Sequence, residues 1–219
     1  MKKFLLISIL NYFVIFNIFA VTKTSISNGN WNNASTWSPS GVPVTTDNVI
    51  INTNVTLNVD IDIDPGGSIT INNGASLIGS TFMIDFNGST SGGGSLAHLT
   101  NYGTLTVGTI RVVKNCGYSK IDNFGIINVE DANGTTSVLD WRSSDTLYNH
   151  SGATLNVLNG LFRVSNQSWL TCNGGNSKAT VINDGYMNVY DAQFHAGSIF
   201  MNYLIVNIEP APAPGLWMG

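Results

Sequence analysis

Three aspartates at alternate positions, Asp60-Ile-Asp62-Ile-Asp64, have the spacing closest to a chemical site. On a strand, alternate side chains share one face about 7 Å apart, and hard carboxylate oxygens suit calcium. Asp60, Asp62 and Asp64 are therefore the candidate metal residues, with Ca2+ as the candidate ion. They do not form an EF-hand: Pro65 stands where that loop needs glycine, and Ile71 where it needs a bidentate acid. The competing expectation is a solvated acidic stripe that discourages edge pairing.

His98, His150 and His195 are scattered, and none has an acidic or thiol neighbour at useful spacing along the chain. Imidazole catalysis needs an orienting partner, so these are expected to be surface or loop residues and the chain not to be an enzyme. Aromatic residues offer a different chemistry. Solvent-facing rings stacked along a repeat make a platform for sugars, with Asn side chains as hydrogen-bonding partners. The candidate binding residues are Tyr102, Tyr148, Tyr186, Tyr190, Trp141 and Trp169. Phe124 lies at a similar position, and packing of these rings at corners or in the interior is the alternative. Asn-x-Ser/Thr triplets begin at Asn33, Asn54, Asn87, Asn133, Asn149 and Asn166, as chance provides in a chain so rich in these residues.

The elements that must position these residues are strands. Val55-Thr-Leu57-Asn-Val59-Asp-Ile61-Asp-Ile63 alternates apolar and polar at period two, as do Ser68 to Asn72, Gly103 to Val107 and Ile182 to Val189. Such alternation puts one face in a core and the other in water. A leader of Asn, one or two residues, then Gly precedes the later strands. It reads Asn101-Tyr-Gly103, Asn123-Phe-Gly125, Asn149-His-Ser-Gly152 and Asn183-Asp-Gly185, with a weaker copy at Asn73-Gly74. A strand-bearing unit every 20–30 residues marks a solenoid. The fold class is all-β, a right-handed parallel β-helix with an N-terminal aromatic cap; an antiparallel β-sandwich is the alternative. Asn and Gly are expected to supply the left-handed backbone that turns each corner. Thr104, Thr106, Thr109 and Thr180 keep no constant register, which argues against ice binding.

The ends differ from the middle. Lys2 and Lys3, then an uncharged run from Phe4 to Ala20, have the pattern of a cleaved signal peptide. Residues 1–20 are thus the signal, 21–48 the cap, 49–208 the β-helix and 209–219 a Pro-rich tail, and the chain is expected to be secreted or at the cell surface. The formal net charge of −4 becomes −6 when the two lysines leave with the signal. A mildly acidic chain without a basic cluster argues against nucleic acid, and no membrane insertion is expected after cleavage. Cys116 and Cys172 lie about two rungs apart, roughly 10 Å. A bridge needs Cα atoms within about 7 Å, so free buried thiols are expected unless long loops bring them together. Glu209-Pro-Ala-Pro-Ala-Pro-Gly215 reads as a stiff linker. It implies either a short attachment segment or a chain continuing past Gly219.

Trp31-Asn-Asn-Ala-Ser-Thr-Trp37, Gly41-Val-Pro43 and Asp47-Asn-Val-Ile-Ile51 resemble the opening of secreted bacterial β-helix surface and adhesin-type proteins, and are similar to the start of the domain named for its eight glycines. The resemblance covers residues 26–75 and implies architecture more than activity: a structural or adhesive module with polysaccharide or cell-surface partners. A polysaccharide-active β-helix enzyme, or a fragment of one, is the alternative. The sequence lacks the Asn-Thr-Asp, Gly-His-Gly and Arg-x-Lys motifs of pectate lyases and polygalacturonases.

Overall fold

The computed structural model describes residues 20–87, 96–112, 119–130, 139–142, 145–165, 178–195, 197–208 and 217–218. Cys116, Cys172, Trp169 and residues 1–19 lie outside them. In chain order the strands are β1 (Thr22–Ser25), β2 (Gly29–Asn30), β3 (Trp37–Ser38), β4 (Asn48–Ile51), β5 (Asn54–Thr56), β6 (Ile61–Ile63) and β7 (Ser68–Ile71). Then come β8 (Ser76–Phe86), β9 (Ala97–Asn101), β10 (Thr104–Val112), β11 (Ser119–Asn123), β12 (Ile126–Val129), β13 (Leu139–Arg142) and β14 (Thr146–Asn149). The last are β15 (Thr154–Ser165), β16 (Thr180–Asn183), β17 (Tyr186–Phe194), β18 (Ile199–Asn202), β19 (Ile205–Ile208) and β20 (Trp217–Met218).

These strands form a parallel β-helix. One sheet runs β18-β16-β14-β11-β9-β7-β4-β1-β3, the other β19-β17-β15-β12-β10-β8-β5-β2, with β6, β13 and β20 pairing at its flank. Among the described residues every pairing is parallel except β1 with β3. Hairpins do not join consecutive strands, so the sandwich alternative falls. The first parallel strand, β1, already lies within the lead-in, and the tail returns to the body through β20, which pairs with β17. The long strands β10 and β15 shift register between Val107 and Thr109 and between Val157 and Leu161. Such irregularities bend a strand and fold the second sheet into two faces.

Period-two alternation sends like side chains into the same interior column. Leu77, Leu105, Ile127, Leu155 and Met187 are in register and fully buried. Each coil covers the apolar side of its neighbour, which none could do alone. The cap seals one end. Trp31 and Trp37 meet edge to face at 5.1 Å, and Trp37 Nε1 donates to the Trp31 carbonyl at 2.8 Å. Between them a single 3-10 turn, Ala34–Thr36, begins at Asn33, whose side chain accepts the Ser35 N–H.

The leader residues work differently from the sequence expectation. Asn101, Asn123, Asn149 and Asn183 end strands and point inward, fully buried. They do not turn the corner in a left-handed backbone. Among the leader glycines only Gly74 (φ +80°) and Gly152 (φ +83°) occupy that region. Gly103, Gly125 and Gly185 are glycine because coils stack on them. A Cβ there would lie 2.3, 2.2 and 2.5 Å from a carbonyl oxygen of the coil below. The weak copy at Asn73-Gly74 is also out of register, since Ile71 aligns with Asn101.

Candidate functional site

The corner between the two sheets is built on the buried asparagines. Asn101 Nδ2 donates to Asn123 Oδ1 (2.8 Å), Asn123 to Asn149 (2.8 Å), Asn149 to Asn183 (2.7 Å) and Asn183 to Asn202 (2.7 Å). The second proton on Nδ2 goes to a backbone carbonyl of the next coil, as from Asn123 to Thr154 at 3.0 Å. The Asn123 oxygen also accepts the Gly125 N–H at 3.2 Å. At Asn101 and Asn123 a backbone donor and a backbone acceptor together fix which way the amide faces. A buried amide left unpaired costs about 1–3 kcal/mol, and Asn123 leaves neither of its polar atoms unpaired. A second amide row on the outer face links Asn207, Asn188, Asn156 and Asn128, ending on Thr106.

The residue after each ladder asparagine projects outward: Tyr102, Phe124, His150, Asp184 and Tyr203. Rigid columns put the first three in a stack. Tyr102 lies on Phe124 (4.9 Å, 11°) and Phe124 on His150 (3.9 Å, 12°), while Tyr148 covers His150 from the side of its own strand (3.7 Å, 20°). Tyr102 and Phe124 remain 44% and 40% exposed. Because the rings lie face to face, most of what they offer solvent is edge. Tyr102 and Tyr148 end the stack, and among the described residues each has a ring partner on one face only.

The histidines are not isolated, contrary to the sequence expectation. Asp122 on β11 meets His98 Nε2 at 2.9 Å, His150 Nε2 at 3.0 Å and Lys120 Nζ at 2.8 Å. Burial works to raise the pKa of this carboxyl, but the three donors prevail and hold it below the usual carboxylate range. An ionised carboxylate only accepts, so both imidazoles carry their proton on Nε2. A carboxylate-oriented imidazole is an element of general-base catalysis. The neighbouring Thr100 Oγ1, however, lies 3.3 Å from the nitrogen already committed to Asp122. Asp184 accepts the Tyr148 hydroxyl and raises the pKa of that phenol. Sequence separations of 24 and 28 residues hid the Asp122 cluster. Aligning the repeats on their ladder asparagines would have exposed it.

The other expected site residues scatter. Tyr186 is exposed and Tyr190 half-buried, both along β17 and outside the ring stack. Trp141 is overturned as a binding residue: it is 0% exposed, packed edge to face on Phe86 in the core. The three aspartates of the calcium expectation face outward. Asp60 accepts the Met83 N–H (2.9 Å), Asp64 accepts the Thr45 hydroxyl (2.6 Å), and Asp62 lies in register with Asp85. That row continues as Arg111, Asp140 and Arg163, with Arg111 holding Asp85 bidentately at 2.6 and 2.8 Å. Burial raises the Asp85 pKa against the pull of Arg111. Among the described residues no three His, Cys, Asp or Glu side chains are arranged to hold a metal ion. Compared with known proteins, the chain matches no family model, no curated protein and no solved structure.

Proposed function

We propose that the protein is a non-catalytic extracellular or cell-surface module that presents a rigid repeat face to a carbohydrate or another surface component. One observation carries this reading: the buried amide ladder fixes outward-pointing rings and amides on successive coils at a spacing the chain cannot relax. A surface already ordered before contact loses little entropy on binding. Weak contacts repeated along it add through their effective concentration. The signal-peptide pattern at residues 1–20 supports placement outside the cytoplasm.

The Asp122 cluster favours one other reading, a polysaccharide-active enzyme using a carboxylate-held imidazole. Affinity electrophoresis through a panel of polysaccharides, run beside an assay for chain cleavage, separates the two. The expected result is retardation without cleavage, undiminished in Asp122→Asn. Cleavage that Asp122→Asn abolishes would replace the display reading with the enzymatic one.

A further inference from the structure

The end of the ring stack opens onto a groove that the display reading does not by itself assign. We infer that this groove, resting on that reading, is a subsite for a neutral oligosaccharide, with the face of Tyr102 turned away from Phe124 as its stacking surface. Phe124 covers Tyr102 on the side of the following coil. In the preceding coil the aligned position is Asn72, beside the Asn73–Gly74 turn, so no ring continues the stack. The groove runs past that turn and is lined by Asn54, Ser76, Thr104 and Ile126 beside Tyr102.

Its floor is bare backbone for the reason that governs the whole coil: stacking admits no Cβ at Gly103 or Gly125. Asn54, Ser76, Thr104 and Ile126 are in register on four successive strands. Three strand spacings make about 14 Å, which suits a short chain of sugars rather than one ring. The polar groups facing this space are available. Asn54 Oδ1 accepts the Ser76 hydroxyl at 3.0 Å, and among the described residues its Nδ2 is uncommitted. The Asn73 amide and the hydroxyls of Tyr102 and Thr104 have no side-chain partner among the described residues.

Amides and hydroxyls that both donate and accept match the alternating donors and acceptors of a sugar's hydroxyls. A ring face takes the apolar side of a pyranose. Among the described residues no charged side chain lines the groove, so an acidic sugar would bury its charge without a partner. The ionic groups lie outside it, around Asp122 and along the row of Asp85, Arg111, Asp140 and Arg163.

The test is calorimetric titration of the full chain with cellohexaose, xylohexaose, laminarihexaose and mannohexaose, and with hexagalacturonate as the acidic probe. At least one neutral hexaose should bind. Tyr102→Ala and Asn73→Ala should each weaken it tenfold or more, Tyr102→Phe less than threefold, and Leu158→Ala, exposed elsewhere on the coil, not at all. Circular dichroism of each variant guards against misfolding, and Tyr102→Phe keeps the ring if the alanine variant fails to fold. Neutral-hexaose binding that survives Tyr102→Ala overturns this subsite and leaves the display reading standing. Preference for hexagalacturonate overturns the neutral class. Failure of all five probes while a polysaccharide retards the protein removes the subsite alone, and failure of both experiments removes both.

Discussion

Asp145 is the least comfortable residue in the coil. Its carboxyl is wholly buried, and Oδ1 takes the Ser119 N–H. Burial, opposed by that N–H, pushes its pKa up to about 8. An unfolded aspartate titrates near 3.9, so between roughly pH 4 and 8 the folded chain holds a proton that the unfolded chain has released. Stability must fall as pH rises across that window, by up to about 1.4 kcal/mol per pH unit. Asp145→Asn keeps an oxygen for Ser119 and carries no charge. Its unfolding free energy, measured in urea, should exceed that of the parent by an amount growing roughly 1 kcal/mol per unit from pH 5 to 8. An offset that ignores pH would remove burial as the cause.

At the level of the repeat unit, two kinds of glycine share one place in the sequence pattern. Gly152 is there for its backbone, at φ +83° with open space for 4 Å around the point a Cβ would occupy, whereas Gly125 is there for the 2.2 Å that a Cβ would leave to the coil below. Gly152→Ala should cost about 1–2 kcal/mol, and Gly152→Asn less, since asparagine visits the left-handed region. Gly125→Ala should cost about 2–3 kcal/mol, with no rescue by asparagine. Urea denaturation of the four variants tests the ordering, and equal rescue at both sites would overturn it. This ambiguity marks how far the sequence could be read. Alternation and the recurring Asn-x-Gly leader were enough for a parallel coil, because both follow from local backbone geometry and burial. The same leader misassigned Asn123 to a turn, because an amide ladder and a turn demand the same residue at the same spacing. Asp122 and its histidines escaped because neighbours in a solenoid sit one coil apart, not a few residues apart. Trp141 looked like a platform ring, although nothing in its flanks distinguishes an inward strand position from an outward one.

The coil is unequal at its two ends. The first is closed by Trp31, Trp37 and the antiparallel strand β3. In β18 and β19 the positions that are fully buried elsewhere, Phe200 and Val206 among them, are only partly covered. Repeat proteins open in units set by neighbour contacts. Hydrogen exchange should therefore be fastest in β18 and β19 and slowest from β9 to β15, and uniform protection along the chain would contradict a neighbour-limited coil. The groove lined by Asn54, Tyr102 and Ile126 lies well away from the fast-exchanging strands β18 and β19.

The inner column of amides carries one more implication. Each member hands a proton to the next and receives one from the last, so every link is the same as every other. The series starts where Ile71 replaces asparagine beneath Asn101, and at its far end Asn202 falls back on the Leu204 carbonyl at 3.4 Å. Nothing in such a chain of identical links specifies how many there are. Duplicating residues 123–148 in frame would lengthen the column by one link of the same kind. The size of the molecule is thus set by what closes its ends, and its reach can change in whole coils without redesign of the interior.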